Sequence, residues 1–383
     1  MVSTPVDPDE QRVSPLELFF DLVFVFSITQ VAALLSGDPS MEGLIGGLLV
    51  LLLIWWSWSQ YTWVLNSLGN EATVMKLTLL AAMAAVLFMA LAVPDALGEG
   101  GMWFAVGYTA VLLLGLAVFA VGAPEDQRVD RNRYAIPAFV GVLTVLVGGL
   151  FQGEARMAVW GVGMVIQIGA AFFVGSSDFR IKPAHFAERH ALFVIIALGE
   201  IIVAVGLAAT GSERNVETTA ALAGAFLVVA VLWWAYFDWL ASAMEQALAA
   251  VTGPVRGSTA RDIFTLGHIP LIAGVVLYAV GAEEAVAHAS DHLESAGRTS
   301  LALAIGLIVC AYAFLAYRSD HFITWERLVG GAIAIAAVLG LQTVNGGTIL
   351  WIVAFIIGLS LLLERPRART AARSSSEVGN ALG

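Results

Sequence analysis

Charge and cysteine are both scarce in this chain. Of its 383 residues, 13% are Asp, Glu, Lys or Arg, whereas an average soluble domain has about 25%. The single cysteine, Cys310, excludes an internal disulfide and a cysteine-based metal cluster. Because 59% of the residues are hydrophobic, the sequence predicts an all-α membrane protein that crosses the lipid bilayer many times.

Motifs of common enzymes and nucleic-acid-binding proteins are also missing. The sequence has no Walker loop, no dinucleotide fingerprint and no nucleophile elbow in a suitable context. We therefore expect no cofactor, no metal and no catalytic residue. The arginines near the C-terminus suit anionic lipid headgroups better than nucleic acid. The sequence gives no basis for an oligomeric state.

Apolar runs long enough to cross a bilayer recur along the chain. A span needs about 20 mostly apolar residues, and turn signals such as 37–39 (GDP) and 345–347 (NGG) separate the runs. We predict about 12 transmembrane helices, at 15–36, 43–66, 73–93, 102–122, 134–151, 156–175, 188–209, 217–241, 262–282, 299–317, 325–343 and 347–364.

The basic residues fall mainly on one side of this predicted topology. Of the 19 Lys and Arg, 16 lie at the termini or in loops after even-numbered spans. The other three are Arg156, Arg214 and Arg298. Because Lys and Arg favour the cytoplasmic side, this asymmetry predicts cytoplasmic termini. The N-terminus lacks the basic region of a signal peptide, so we expect the first helix to be an uncleaved anchor.

Two matching motifs indicate an internal repeat. Segments 55–61 (WWSWSQY) and 233–239 (WWAYFDW) align without gaps, and Glu17 opens the first span as Glu188 opens the seventh. We predict two six-helix halves inserted the same way round, as in transporters with parallel repeats; shared membrane composition is the alternative. The expected layout is a cytoplasmic segment 1–14, a first half 15–175, a cytoplasmic linker 176–187, a second half 188–364 and a disordered basic tail 365–383.

The first predicted span begins with two carboxylates. Pro15 suits a first helical turn, and Glu17 and Asp21 follow on one face of the helix. A carboxylate in hydrocarbon costs about 2.5 kcal/mol or more, so such residues usually face a bundle interior or a water-filled path. The alternative for this pair is partial solvation, or an ion pair with Lys76 or Arg189.

Two polar residues lie deeper in the predicted spans. Glu200 lies near the middle of the seventh span, and His268 lies inside the ninth, close to Pro270. Glu200 is a candidate ligand for a cation or a proton, and the alternative is a carboxyl group that joins helices by a hydrogen bond. His268 suits a proton-linked role, because imidazole titrates near neutrality. A neutral, hydrogen-bonded histidine is the alternative.

Further candidates come from the helix entry at 182–190 and from the repeated motif. Glu188 lies beside His185 and His190, but this spacing does not place all three on one helical face, so it does not favour a metal site. Gln60 and Asp238 occupy equivalent positions in the two halves, either as binding groups or as structural hydrogen-bond partners. The aromatic residues that could line the interior, or only pack as rigid core, are Trp55, Trp56, Trp233 and Trp234.

Segments 17–26 (ELFFDLVFVF), 185–189 (HFAER) and 198–200 (LGE) resemble the bacterial low temperature requirement protein A family. Segment 267–271 (GHIPL) is also similar to that family, and the likeness runs over roughly 10–365. The resemblance implies a multi-pass protein of the bacterial cell (inner) membrane that is linked by name to growth in the cold. It implies no particular biochemical activity.

Segment 19–24 (FFDLVF), with Ile28 and Thr29 beyond it, is similar to the Phe-Ser-Asp signature of a potassium channel family built from six-helix repeats. Those channels also carry the signature at the start of the first helix. Here Phe20 stands where they have serine, and the second half lacks a matching Phe-Asp pair. The similarity therefore does not imply potassium conduction.

Together these features predict a transporter or channel that moves a cation, a proton or a small solute through a polar interior lined by carboxylates. The alternative is a membrane-embedded enzyme or a lipid-modifying factor that supports growth in the cold, and a scaffold without turnover is a third possibility. The candidate residues for ion or substrate binding are Glu17, Asp21, Gln60, Glu188, Glu200, Asp238 and His268.

Overall fold

The computed structural model describes residues 13–68, 73–122, 128–174 and 181–381. These residues form α-helices joined by short connections, with one isolated β-bridge between His292 and Asn345. The helices are α1 Pro15–Gly37, α2 Met41–Leu68, α3 Thr73–Leu91, α4 Gly101–Gly122, α5 Arg128–Gly148, α6 Gly153–Val174, α7 Pro183–Gly211, α8 Val216–Ala235, α9 Ala241–Ala249, α10 Gly253–Thr259, α11 His268–Ala287, α12 Ser295–Asp320, α13 Trp325–Gly340 and α14 Gly346–Ala381. A 3₁₀ turn covers Val93–Asp95, and π-helical segments cover Tyr236–Leu240 and Ala260–Leu266.

Each predicted span lies on a helix, but two of the helices are short for a bilayer. Within the described residues, 10 helices are long and apolar enough to cross a membrane. The apolar part of α5, Arg133–Gly148, falls below that length, and α13 has 16 residues. Sixteen helical residues span about 24 Å, less than the ~30 Å hydrocarbon core. The chain is therefore a multi-pass membrane protein with about ten such spans, and its orientation stays a prediction.

Two compact units make up the chain. The first comprises Met1–Glu200 and Ala241–Val276, and the second comprises Ile201–Leu240 and Leu277–Gly383. The continuous helices α7 and α11 each contribute one part to the first unit and the other part to the second. The division into two six-helix repeats stays a prediction.

Local chemistry explains where α1 and α7 begin. Ser14 Oγ accepts a hydrogen bond from the Glu17 backbone N–H, and the Glu17 carboxylate accepts one from the Ser14 N–H, which completes a capping box. Pro15 occupies the first turn, as expected. Helix α7 begins at Pro183, inside the segment 176–187 that we expected to be a linker. Its first turns therefore place His185 on a helix.

The last helix also continues beyond the predicted span. Helix α14 extends to Ala381, through most of the segment 365–383 that we expected to be a disordered tail. Alanine and arginine are among the strongest helix formers, and both are frequent in this segment.

Two arginines that we expected on the less basic side are buried and hold loops in place. Arg156, at the start of α6, donates to the carbonyls of Phe151, Ala96 and Gly98, and so joins the α5–α6 and α3–α4 connections. Arg298 has a similar role near the start of α12. Each guanidinium provides donors to carbonyls at helix ends and in connections, where helical N–H donors are scarce.

A π-helical segment precedes α11, and a proline lies in the first turn of α11. Pro270 has no N–H, so one carbonyl before it lacks its usual helical donor. Indole Nε1 of Trp55 donates to the Thr265 carbonyl at 2.9 Å, and Nδ1 of His268 lies 3.0 Å from the Ile263 carbonyl. Side chains therefore satisfy the backbone at the break, as is usual for broken helices within membranes.

Candidate functional site

The first unit contains a buried group of charged side chains that we call the acidic cluster. It consists of Glu17 and Asp21 from α1 and His185 and Arg189 from α7. All four side chains are at most 1% exposed. The sequence placed the two carboxylates on one face of a helix, and the structure brings α7 against that face.

Asp21 makes the shortest contacts in the acidic cluster. Its Oδ1 lies 2.5 Å from Arg189 Nη2 and accepts a hydrogen bond from Trp58 Nε1 at 2.8 Å. The guanidinium lies 5.7 Å from the centre of the Trp58 ring and 6.0 Å from that of Phe20, so two aromatic faces add cation–π attraction. Of the two cations we expected as possible partners, Arg189 takes this place, whereas Lys76 is exposed.

Glu17 joins the acidic cluster through its other oxygen. Its Oε2 accepts from the Ser14 N–H, as described above. Its Oε1 lies 3.1 Å from His185 Nε2 and 3.4 Å from Arg189 Nη1. One guanidinium therefore lies between two carboxylates, and a histidine faces one of them.

Asn66 of α2 fixes which ring nitrogen of His185 carries the hydrogen. The Asn66 carbonyl oxygen accepts from the Lys182 N–H at 2.8 Å, and its Nδ2 donates to the Lys182 carbonyl at 3.0 Å, so the amide can point only one way. The same Nδ2 lies 3.1 Å from His185 Nδ1, which must therefore accept. Hence the ring hydrogen of His185 is on Nε2, which lies 3.1 Å from Glu17 Oε1 but makes no hydrogen bond of good geometry within the described structure.

This assignment gives a charge count for the acidic cluster. Glu17 and Asp21 each carry one negative charge when ionised, Arg189 carries one positive charge, and His185 carries none. Among the described residues, Arg189 is the one arginine or lysine within ion-pair distance of either carboxylate. With both carboxylates ionised, the described side chains of this buried group carry one unbalanced negative charge.

One carboxylate oxygen in the acidic cluster has no partner. Within the described structure, Asp21 Oδ2 is buried and accepts no hydrogen bond, and Arg189 Nε is buried and donates none. Buried polar atoms are hydrogen-bonded in most proteins, and an exception needs an explanation. The oxygen without a partner therefore belongs to Asp21, which also makes the shortest ionic contact in the acidic cluster.

Helices α1 and α7 meet at a second acidic position. Glu200 is 3% exposed, and its Oε2 accepts a hydrogen bond from Thr29 Oγ1 at 2.5 Å. Since Glu17, Asp21 and Thr29 of α1 meet residues of α7 in ascending order, the two helices run in the same direction. The positions of Asp21 and Thr29 are about 12 Å apart along α1.

An aromatic layer adjoins the acidic cluster. The ring of His190 lies 5.0 Å from that of Trp58 and 5.3 Å from that of His268, which stacks on Trp55 at 6.3 Å. Nδ1 of His190 lies 2.9 Å from the Phe186 carbonyl and so carries the hydrogen. Trp55 and His268 thus lie in one packed layer, where both also bond to the π-helical backbone.

Replacing Trp55 with phenylalanine should destabilise the protein more than the same change at Trp56. Both side chains are at most 2% exposed, so they lose similar packing. Of the two, only Trp55 donates a hydrogen bond to another described residue, the Thr265 carbonyl, and an unsatisfied carbonyl costs about 1–3 kcal/mol. Thermal unfolding in detergent measures the difference; equal losses for the two variants would contradict the role of Trp55.

A cavity of ≈ 60 Å³ lies elsewhere in the first unit. Trp56 and Gln60, both predicted interior residues, line it. Its other walls include Trp63, Tyr134, Gln167 and Thr265. None of the carboxylates of the acidic cluster appears among its described lining residues.

Several predicted site residues lie away from both the acidic cluster and this cavity. Glu188 is exposed and accepts a hydrogen bond from the Val13 N–H. In the second unit, Asp238 is exposed beside a cavity of ≈ 30 Å³, and Trp233 and Trp234 are 47% and 45% exposed. The matching motifs 55–61 and 233–239 therefore occupy different environments, the first mainly buried and the second partly exposed.

Sequence reasoning missed three contributors to the acidic cluster. The sequence pattern places His185 at a helix entry, gives no signal for Asn66, and presents Trp58 only as part of the repeated motif. Pro183 was the available signal for His185, because proline favours the first turn of a helix. The place of Asn66 follows from contacts between distant segments, which no local pattern contains.

Comparison with known proteins agrees with this membrane architecture. The family model described as bacterial low temperature requirement A protein (LtrA) matches residues 12–362. The chain is also 33% identical over 295 residues to the uncharacterized protein RA0937 of Rhizobium meliloti (strain 1021), covering 73% of this chain and 71% of that protein. The family match includes every residue of the acidic cluster and of the α1–α7 contact. The chain therefore belongs to the bacterial low temperature requirement A family.

Proposed function

We propose that the chain is a transporter of the bacterial inner membrane that binds and releases a proton at the acidic cluster while it moves a small solute. The unbalanced charge of the cluster carries this proposal. Both termini are cytoplasmic in this proposal, as the distribution of Lys and Arg predicts. The shared direction of α1 and α7 supports two halves inserted the same way round.

A lone buried charge is costly, and a proton removes that cost. Leaving one buried charge without its partner typically costs about 3–5 kcal/mol. Adding one proton to the acidic cluster leaves one carboxylate for one guanidinium. Asp21 Oδ2 is the natural position for that proton, because it is the carboxylate oxygen in the cluster that lacks a partner in the described structure.

A proton suits this position better than a metal ion does. Oxygen-binding cations need about six ligands at 2.0–2.6 Å, whereas Asp21 Oδ2 is buried beside a guanidinium. Neither carboxylate of the acidic cluster lines the cavities of ≈ 60, 20 or 30 Å³ found among the described residues. A proton needs no extra room.

Protonation would also weaken a contact between two helices. Asp21 joins α1 to α7 through Arg189, and neutralising Asp21 removes the ionic part of that bond. Thr29 and Glu200 provide a second contact between the same helices, where a further proton or cation would act in the same way. Proton binding can thereby favour one arrangement of α1 against α7 over another, as coupled transport requires.

Reconstituted protein tests this function. Liposomes loaded with a pH-sensitive dye receive small solutes and monovalent cations one at a time. We expect at least one solute to change the internal pH with wild-type protein. The Asp21→Asn variant should slow that change by about tenfold or more. Asparagine keeps the shape of the side chain, and Arg189 retains Glu17 as its partner, so the variant should still fold.

The matched control is Glu42→Gln, which changes an exposed carboxylate in the first turn of α2. We expect it to match the wild type. The proposal is wrong if no solute moves protons with folded wild-type protein, or if Asp21→Asn is as fast as wild type.

A further inference from the structure

The cavity of ≈ 60 Å³ in the first unit has a size that restricts what it can hold. One water-sized group needs about 10–15 Å³ by the same kind of measure. The cavity therefore has room for about four to six such groups, which corresponds to a solute of about four to six non-hydrogen atoms.

Gln60 is the carboxamide in the lining of this cavity that has no hydrogen-bond partner among the described residues. Its amide is half-buried and makes no hydrogen bond with any described residue. Gln167, by contrast, accepts from Tyr108 at 3.0 Å and donates to the Gly163 carbonyl at 3.2 Å. A free carboxamide offers an acceptor oxygen and donor hydrogens side by side in one plane.

The charged residue at this cavity is already paired. Arg261 Nε donates to Asp262 Oδ1 at 2.9 Å, and Nη2 lies 2.7 Å from the same oxygen. The guanidinium also lies 4.1 Å from the centre of the Phe172 ring. The described lining residues therefore offer no unpaired charge to an ion, which would lose its hydration on entering an apolar space.

Aromatic and aliphatic side chains form most of the remaining wall. Trp56, Trp63 and Tyr134 contribute rings, and Leu112 contributes a branched aliphatic chain. Thr265 Oγ1 accepts from Trp63 Nε1 at 2.9 Å and from Ser59 Oγ at 3.3 Å, so its acceptor capacity is already used. A solute that fits must therefore be apolar over much of its surface, with a polar group placed to meet Gln60.

We infer that this cavity binds a small uncharged amide with an apolar substituent, of which acetamide is the simplest example. The amide of the solute pairs with that of Gln60 through two hydrogen bonds, and its methyl group contacts the aromatic walls. This inference rests on the proposed transport function and names its solute class. Its test measures binding alone, so the two can fail separately.

Saturation-transfer NMR on the purified full chain tests the inference. Acetamide is the probe, and acetate is a control of the same size and shape that carries a charge. We expect transfer to the acetamide methyl protons, and at least fivefold less to acetate at neutral pH. The Gln60→Met variant keeps the side-chain length and removes the amide, and should reduce the acetamide signal at least fivefold.

A second variant fills the space itself. Gly115 lines the cavity, and a Cβ there would meet the Tyr61 ring at 3.5 Å, an ordinary contact. Gly115→Val should therefore fold and abolish the acetamide signal. Gly161→Val is the matched control, because Gly161 is also helical and a Cβ there meets nothing within 4 Å. It should leave the signal unchanged.

The outcomes separate the two proposals. An acetamide signal that is absent in the wild type, unchanged in Gln60→Met, or matched by acetate would overturn the inference. The Glu42→Gln variant should bind acetamide normally, because Glu42 is exposed in the first turn of α2 and does not line the cavity. If acetamide binds as expected while no solute moves protons, the solute site stands and the proton-linked function fails.

Discussion

Arg189→Met is expected to give the largest loss of stability of any single substitution in the acidic cluster. The side chain is fully buried and is the guanidinium that lies between Glu17 and Asp21. Removing it leaves two carboxylates without a cation in a buried site, and breaking a buried ion pair in this way costs about 3–5 kcal/mol. We expect little monodisperse protein after extraction in detergent, and a clearly lower thermal midpoint for what remains.

Two comparisons make this prediction specific. Lys76→Met removes a cation from an exposed position on α3 and should leave the midpoint unchanged. The double variant Arg189→Gln with Asp21→Asn removes one charge of each sign, and it should recover part of the stability lost in Arg189→Gln alone. If the double variant is less stable than Arg189→Gln, the charge count of the acidic cluster is wrong.

The sequence allowed the acidic end of α1 to be predicted closely, because its signals are local. Pro15 and the following carboxylates define a helix start within a few residues, and the structure has the helix there. The choice between Lys76 and Arg189 as the partner could not be made from the sequence. Both were expected near the same end of the bundle, and only the packing of α7 against α1 distinguishes them.

The number of membrane spans could be predicted from the sequence only approximately. Hydropathy identifies an apolar run but gives its helical length only approximately. The runs predicted at 134–151 and 325–343 lie on helices whose apolar parts are too short to meet the length of a full span. The ends of these helices depend on contacts such as those of Arg298, which lie outside the apolar pattern.

The repeated tryptophan motif shows that similar sequences can have different environments. Trp56 is 1% exposed, whereas Trp234, its counterpart in the alignment, is 45% exposed. Both segments begin with paired tryptophans and align without gaps, so the pattern favours the same environment for both. Which helices cover each segment depends on the rest of the unit. For this reason the cavity beside Gln60 could not be predicted, although Gln60 itself was identified as a candidate.

Arg298→Met is expected to destabilise the second unit strongly. Arg298 donates from Nε to the Leu293 carbonyl at 3.1 Å and from Nη1 to the Val338 carbonyl at 2.8 Å. It also reaches the carbonyls of Leu341 and Gln342, at 3.2 and 3.1 Å. These groups lie near the C-terminal end of α13, where carbonyls lack helical donors and the helix dipole is negative.

Methionine keeps the apolar stem and removes every one of these donors. We expect a loss of about 3–5 kcal/mol, because several buried carbonyls lose bonds to a charged group at once. Arg298→Lys should be intermediate, since an ammonium group has three donors and lacks the planar fork.

Hydrogen exchange localises the effect. Amides at 338–346 should exchange faster in Arg298→Met, while those of α2, in the other unit, should not change. Arg214→Met provides the matched control, because Arg214 is exposed and was predicted on the same side of the membrane. Equal thermal midpoints for the Arg298 and Arg214 variants would contradict the structural role of Arg298. A lower midpoint for the Arg298 variant would mean that bonds to α13 hold Arg298 on the less basic side. Arg298 would then not be an exception to the rule that relates Lys and Arg to the cytoplasmic side.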